Sequence, residues 1–236
     1  MNAQELITQA RAQQRTALDE QSGKSLLAAY GIAVPQSLTV TNAGEVDAAF
    51  ARLKAPVVVK IMSPDILHKS DAGGVKVGLK SAAEVKDAIN VMSASPKIKG
   101  ARIDGYLLEA MAPAGQEIVI GGLRDPDFGP LVMVGLGGIF VEVLRDVSFR
   151  ICPITRIDAQ EMLEELKGAA ILDGARGMKP VSRDAIIDVL MKVGGENGLL
   201  MQHANDITEA DINPLIVSES GAVAVDARFI LGKKYE

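Results

Sequence analysis

The chain has 236 residues, with 25 Lys and Arg against 30 Asp and Glu for a net charge of −5, and is 48% hydrophobic and 23% charged. Such a length and composition give one large globular domain or two tightly joined lobes and exclude disorder of the whole chain. With no Lys/Arg block and only 3% aromatic residues, clustered cations for phosphates and ring platforms for bases are both missing, which excludes a non-specific nucleic-acid binder.

The opening MNAQELITQARAQQRTALDE has no apolar core and no cleavage pattern, so no signal peptide is read and the cytoplasm is the expected compartment. The most apolar stretch, Leu131 to Val141, is broken by glycines and falls short of the roughly 18 residues that span a bilayer, so no membrane partner is expected. Cys152 is the one cysteine, and His68 and His203 are far apart, which rules out a disulfide framework and a Cys/His zinc site.

Residues 1–20 are weakly periodic and read as a helical or frayed extension, with the body starting near Ser22. Leu26, Leu27 and Tyr30 at helical spacing, stopped by Gly31, predict a helix over 22–30 before the extended Ile32-Ala33-Val34-Pro35. A helix is predicted over 43–54, then a strand buried on both faces at Val57-Val58-Val59, then a helix over 82–93. From Tyr106 the glycine-punctuated runs YLLEAM, QEIVIGGL, GPLVMVGLGG and IFVEVL predict the antiparallel core of a second lobe. Helices over 158–168 and 183–193 follow, and NPLIV and AVAVDARF close the chain as strands joined at Glu219-Ser220-Gly221. The fold class read from this rhythm is α+β in two lobes.

Lys60 ends the run VVVK, where a side chain leaving a buried sheet either snorkels to water or meets a ligand. The loop after it, SPDILHKSDAGGV, ends in Gly73-Gly74, which lets backbone N–H groups approach phosphate oxygens while Lys60 and Lys69 supply charge; a hairpin turn would use the same glycines. His68 lies in this polar loop, and a neutral imidazole there is a candidate nucleophile toward phosphorus. Near the C-terminus, Asp211-Ile212-Asn213-Pro214 precedes a hairpin that brings Asn213 beside Asp226, a pair of oxygen donors of the kind Mg²⁺ accepts next to phosphates. Glu109 in LLEAM and Glu117 in QEIVIG are acids within apolar strands, ready for ribose or metal or simply facing water. Glu142 and Arg145 follow a second glycine loop, Gly135-Leu136-Gly137-Gly138. Two features are set aside. Ser22-Gly23-Lys24-Ser25 lacks the earlier glycine and the preceding strand of a P-loop, and Cys152 reads as a small buried hydrophobe.

The blocks VVVKIMSPDILHKSDAGGVKVGL, GLGGIFVEVLRDVSFRICPI and ADINPLIV with AVAVDARF, in that order, resemble the ATP-grasp domain of NDP-forming acyl-CoA synthetases. The likeness extends to the β subunit of ADP-forming acetate–CoA ligase and to the succinyl-CoA synthetase β chain, and covers about residues 20–232. It implies an ATP-grasp fold over 21–236: a smaller lobe over about 21–107, a hinge over about 108–113 and a larger lobe over about 114–236, gripping the nucleotide between them. It further implies that Lys60, Lys69, Gly73 and Gly74 hold phosphates, that Glu109 and Glu117 line the base and ribose, and that Asn213 and Asp226 bind Mg²⁺. His68 matches a phosphoryl-carrying histidine, with Asp211 as its partner.

The implied reaction converts acyl-CoA, NDP and phosphate to acid, CoA and NTP through an acyl phosphate and a phosphohistidine on the CoA-binding part, with ATP/ADP or GTP/GDP as the nucleotide pair. The CoA-binding part of the family is absent from this sequence, so the chain is expected to be a free-standing β subunit or an excised domain, with a CoA-binding α subunit in an α₂β₂ heterotetramer as the partner that the full reaction needs. The alternative is a regulatory ATP-grasp module such as those fused to protein acetyltransferases; His68, Lys60, Asn213 and Asp226 argue for catalysis. A carboxylate–amine ligase would not call for the histidine.

Overall fold

The structure is a computed structural model that describes residues 2–66, 69–138, 141, 143–175 and 179–232. The chain forms two compact units: Pro35–Ala112, and a larger one from the residues up to Val34 and from Pro113 onward.

The smaller unit is a four-stranded antiparallel sheet in the order β1-β4-β2-β3, from β1 (Ser37–Val40), β2 (Val57–Met62), β3 (Val75–Leu79) and β4 (Gly105–Ala110). Val57, Val59 and Ile61 point from β2 into a core with Val85, Ile89 and Met92, which recur at helical spacing on α4 (Ala82–Ala94). Ser81 caps α4 by accepting the Glu84 N–H at 3.2 Å. The helix expected over 43–54 is shorter, a 3₁₀ turn at Ala43–Glu45 followed by α3 (Val46–Phe50). Its last turn tightens because Arg52 and Leu53 bond back to Ala49 and Phe50, three residues away.

The larger unit is a six-stranded antiparallel sheet in the order β10-β8-β5-β6-β7, with β9 paired to β8. Its strands are β5 (Gln116–Asp125), β6 (Gly129–Leu136), β7 (Val147–Ile151), β8 (Ile207–Ser218), β9 (Gly221–Ala224) and β10 (Ala227–Leu231). Alternate residues Ile118, Ile120, Val132, Val134 and Leu136 pack against helices α5 (Arg156–Glu164), α6 (Arg183–Gly194) and α7 (Leu199–Gln202). The expected strand IFVEVL lies partly outside the described residues; Val143 and Leu144 form a turn, and the edge strand begins three residues after Leu144, at Val147.

The N-terminal residues are part of this unit, not an extension. Helix α1 (Ala3–Ala12) opens on an Asn2/Glu5 capping box, buries Leu6, Ile7 and Ala10, and is held by Arg11, which binds Asp206 and the Gly232 carbonyl. The next residues pair along β10, with Leu18 N–H on the Phe229 carbonyl at 3.0 Å and Leu231 N–H on the Thr16 carbonyl at 2.8 Å. Helix α2 (Glu20–Ala29) then puts Leu26 and Leu27 into the same core, so the smaller unit begins at Pro35 and not near residue 21. Gly23 owes its place to packing: a Cβ there would meet the Ala227 carbonyl at 3.0 Å and the Phe229 ring at 3.3 Å. Lys24, beside it, is buried and paired to Glu20 at 2.8 Å, which accounts for the motif set aside as a P-loop. Among the described residues no helix is long and apolar enough to cross a membrane.

His203, just after α7, is 6% exposed, and neither ring nitrogen has a hydrogen-bond partner among the described residues. The Tyr30 ring stands edge-on at 5.9 Å, and Nδ1 is 3.9 Å from the Asp206 carboxylate that Arg11 also binds. Burial lowers the His203 pKa from 6.5, partly offset by the Asp206 charge, so the unfolded chain takes the proton more readily than the fold. The stability tied to neutral His203 is complete above that value and is lost as pH falls below it. His203→Phe, which keeps a ring and removes the orphan nitrogens, is expected to raise the melting temperature more at about pH 5.5 than at about pH 8. Equal shifts at both pH values would exclude imidazole titration as the cause.

Candidate functional site

In the smaller unit the register sets Lys60 opposite Leu107 and Val58 opposite Glu109, so Lys60 and Glu109 share one face of the sheet, offset diagonally. That face is opposite the one packed on α4. Their Nζ–Oε2 separation is 2.7 Å, and the side chains are 6% and 2% exposed. Each residue thus has an opposite charge on the neighbouring strand, a pairing the sequence could suggest only through the cost of burying a lone charge.

The loop from β2 to β3 is described up to Ile66 and again from Lys69, so His68 lies outside the described residues. Gly73 N–H bonds to the Ser70 carbonyl at 3.0 Å and Gly74 N–H to the Lys69 carbonyl at 2.7 Å. Both donors expected to cradle phosphate are therefore engaged in closing the loop, and the glycines act on its shape. Gly73 adopts φ +77°, and a Cβ at Gly74 would lie 2.5 Å from Ile61 Cγ2. Lys69 is half-buried at the base of this turn. The loop is tied down by Asp65, which accepts the Arg102 N–H at 2.7 Å, and by Lys97, which donates to the Asp71 carbonyl at 2.9 Å.

In the larger unit Asp211, Asn213 and Asp226 gather where β8 changes partners. Ile118 and Ile120 of β5 pair with Leu215 and Ile212, so Asn213-Pro214 is a bulge facing the single residue Val119. On the other side β8 pairs with β10 as far as Ile212 and with β9 from Leu215. The strand read as AVAVDARF is accordingly broken at Val225-Asp226. Asn213 N–H donates to the Asp226 carbonyl at 3.3 Å, Val225 N–H to the Pro214 carbonyl at 2.9 Å, and Ala227 N–H to Asp226 Oδ1 at 2.8 Å. Asp211 pairs with Arg228 across the strands, and a cleft of about 300 Å³ lined by Gly121, Leu123, Met133, Phe149, Asp211 and Arg228 opens on that face. Partial burial and then the Asp226 charge raise the Asp211 pKa, and Arg228 opposes them.

Arg228 escaped the reading of the sequence, although its position two residues after Asp226 puts a cation beside those carboxylates. Asn213 and Asp226 supply hard oxygen donors. Among the described residues no group of three or more His, Cys, Asp or Glu is arranged to hold a metal, so a cation here would take further oxygens from ligand or water, as Mg²⁺ does. The like charges of Asp211 and Asp226 fit such a cation, which would relieve their repulsion.

Glu117 is exposed at the start of β5, and its carbonyl accepts the Gly137 N–H at 2.7 Å. The second glycine loop lies directly over it: a Cβ on Gly137 would be 2.7 Å from Glu117 Cβ. Glu142 lies outside the described residues, and Arg145 has φ +48°. A wider cleft of about 590 Å³ along α5 and α6, lined by Gln160, Glu164, Arg183 and Asp184, contains none of the expected residues. Cys152 is buried, and burial pushes its thiol up to about 12, in keeping with a small buried hydrophobe.

A family model described as the ATP-grasp domain matches residues 9–231. The β subunit of ADP-forming acetate–CoA ligase I from Pyrococcus furiosus is 46% identical over 231 residues, 97% of each chain. The ADP-forming acetate–CoA ligase I of Archaeoglobus fulgidus is 43% identical over 90% of this chain, which spans only 30% of that longer protein. Among solved structures, the dinucleotide-forming acetyl-coenzyme A synthetase 1 of Ca. Korarchaeum cryptofilum, in complex with coenzyme A and Ca-AMPCP, superposes with a TM-score of 0.92 at 41% identity, covering 98% of this chain and 100% of the other. A second complex of that protein, with coenzyme A and Mg-AMPPCP and its phosphohistidine segment pointing towards the nucleotide-binding site, gives a TM-score of 0.83 at 40% identity over 98% and 100% of the two chains.

The geometry of the first loop is open to test without ligand. Gly74→Ala forces a methyl into Ile61 and is expected to destabilise the fold by about 1–3 kcal/mol, the usual cost of overpacking, with the loss visible as a lower melting temperature. An unchanged melting temperature would mean that Ile61 yields and that the close approach is not a constraint.

Proposed function

We propose a function from this premise: the chain belongs to the ATP-grasp domain family, and its relatives of equal length are β subunits of ADP-forming acetate–CoA ligases. It is a ligase subunit that handles the nucleotide of an NDP-forming acyl-CoA synthetase. The reaction interconverts acyl-CoA, NDP and phosphate with acid, CoA and NTP. Phosphate oxygen displaces CoA from the thioester to give an acyl phosphate; an imidazole nitrogen takes the phosphoryl group and releases the acid; the phosphoryl group then passes to the terminal oxygen of NDP. His68 is the imidazole proposed for this chain, and Asp211 orients or stabilises its phosphorylated form.

The observation that carries the reading is the junction of β8, β9 and β10, which sets Asn213 beside Asp226 with Asp211 and Arg228 next to them. Asn213 and Asp226 would hold Mg²⁺, which neutralises charge on the phosphates when bound. Lys60 and Lys69 bind phosphate oxygens, Gly73 and Gly74 fix the shape of the loop, and Glu117 takes the ribose hydroxyls. The AMPCP and AMPPCP complexes of the Korarchaeum protein support ATP/ADP over GTP/GDP. The coenzyme A in the same complexes, and the longer single-chain relatives, support a CoA-binding α subunit as partner, which we place in an α₂β₂ heterotetramer. A purely regulatory module is disfavoured by the identity of the full-length relatives.

Two substitutions separate the roles. His68→Asn is expected to abolish phosphohistidine labelling by Mg-ATP, or by acyl-CoA and phosphate with the CoA-binding subunit, while nucleotide affinity stays within about threefold. Labelling that persists in the variant would remove His68 as carrier. Asp226→Ala is expected to weaken Mg-ATP binding by about tenfold or more without affecting metal-free ATP, measured by calorimetry with and without Mg²⁺. The same loss in both conditions would take Asp226 out of the metal site.

A further inference from the structure

On the face of the larger sheet turned away from helices α5, α6 and α7, the register lays out one transverse row: Arg228 of β10, Asp211 of β8, Gly121 of β5, Met133 of β6 and Phe149 of β7. Glu209 stands on the same face two residues before Asp211, and with Asp211 and Arg228 it lines the cleft of about 300 Å³. A guanidinium with one acid directly across the ladder and another diagonal to it is placed to close onto either. Arg11, Arg150, Arg156 and Arg183 each reach a carboxylate in this way. Arg228 is exposed, and among the described residues it makes neither a hydrogen bond nor an ion pair. Its N–H donors therefore point into a cleft with their bonding capacity unspent.

We propose that Arg228 is a phosphoryl-binding residue: its guanidinium takes two oxygens of the phosphoryl group in transfer, which in the nucleotide is the terminal phosphate of NTP. The inference rests on the function proposed above and deepens it by naming a residue for the group that moves. Asp211, assigned there to the phosphorylated imidazole, is the register partner of Arg228, so a phosphoryl group brought to the one lies beside the other. Arginine suits the task because its charge is permanent and its planar fork matches two phosphate oxygens. In the step served, the bond from ring nitrogen to phosphorus breaks with its electron pair left on nitrogen, while a terminal oxygen of NDP bonds to phosphorus. Charge on the three remaining oxygens of the group is what a guanidinium stabilises. A divalent cation at Asn213 and Asp226, together with Arg228, offsets the carboxylates of Glu209, Asp211 and Asp226, so the approach of phosphate is not opposed.

The test is equilibrium binding of Mg-ATP, Mg-ADP and metal-free ATP to the full chain, with Arg228→Gln and Arg228→Lys. Arg228→Gln is expected to weaken Mg-ATP about tenfold or more and Mg-ADP by no more than about twofold, so that the preference for the triphosphate falls. The loss for ATP should persist without Mg²⁺, which separates a direct contact from one made through the metal. Arg228→Lys keeps the charge and loses the fork, and should fall between the wild type and Arg228→Gln. Equal losses for ATP and ADP, a loss seen only with Mg²⁺, or unchanged ATP affinity would each overturn the proposal. A wild-type chain that binds neither nucleotide would instead overturn the functional reading beneath it. Should Arg228→Gln fail to fold, Arg228→Lys decides alone: a smaller loss confined to ATP is expected, and a wild-type preference between the two nucleotides would overturn the assignment.

Discussion

Strand β8 must serve three partners at once, and the candidate chemistry of the larger unit follows from how it does so. One edge runs along β5 for most of its length, while the other bonds first to β10 and then to β9. Where the second edge changes partner, Pro214 has no N–H to offer, and the ladder has to break. The bulge at Asn213-Pro214 adds one residue, which lets Ile212 and Leu215 both face the core although three positions separate them. Without that added residue the apolar face beyond the junction would turn outward. The same irregularity that keeps the core continuous exposes Asn213 and releases Asp226 from the strand pattern.

The charged groups of the two candidate sites differ in kind. In the smaller unit the Lys60 and Glu109 charges are buried and stand 2.7 Å apart. In the larger one, two carboxylates stand close enough for one to raise the pKa of the other, and a single arginine opposes them. The like charges of the second arrangement favour a counter-charge beside them.

Much of this was legible in the sequence where periodicity and punctuation agree. The run Val57-Val58-Val59, the helix at 82–94 and the strands YLLEAM, QEIVIGGL, GPLVMVGLGG and NPLIV fold near the positions expected, whereas IFVEVL does not and AVAVDARF is broken in two. What escaped were long-range effects. The first twenty residues look frayed because α1 has only three core-facing side chains, and its anchors at Asp206 and Gly232 lie at the far end of the chain. The helix over 22–30 was assigned to the wrong unit because nothing local says which core Leu26 and Leu27 will join. For the site, the residue types were readable, and so was the closeness of Asn213 and Asp226. The Lys60 to Glu109 pairing was not, because it depends on β4 inserting between β1 and β2. Nor could the glycine loop reveal that its N–H groups bond to its own carbonyls.

The smaller unit is one continuous stretch of chain set within the larger, entered at Val34-Pro35 and left at Ala112-Pro113. Trimming from either terminus therefore dismantles the larger unit before it reaches a single residue of the smaller. Evolution, or an engineer, can exchange the nested module in one cut-and-paste event with two junctions, each already marked by a proline that restricts the backbone. The inserted unit and the unit that carries it are thus separable at the level of genetic architecture.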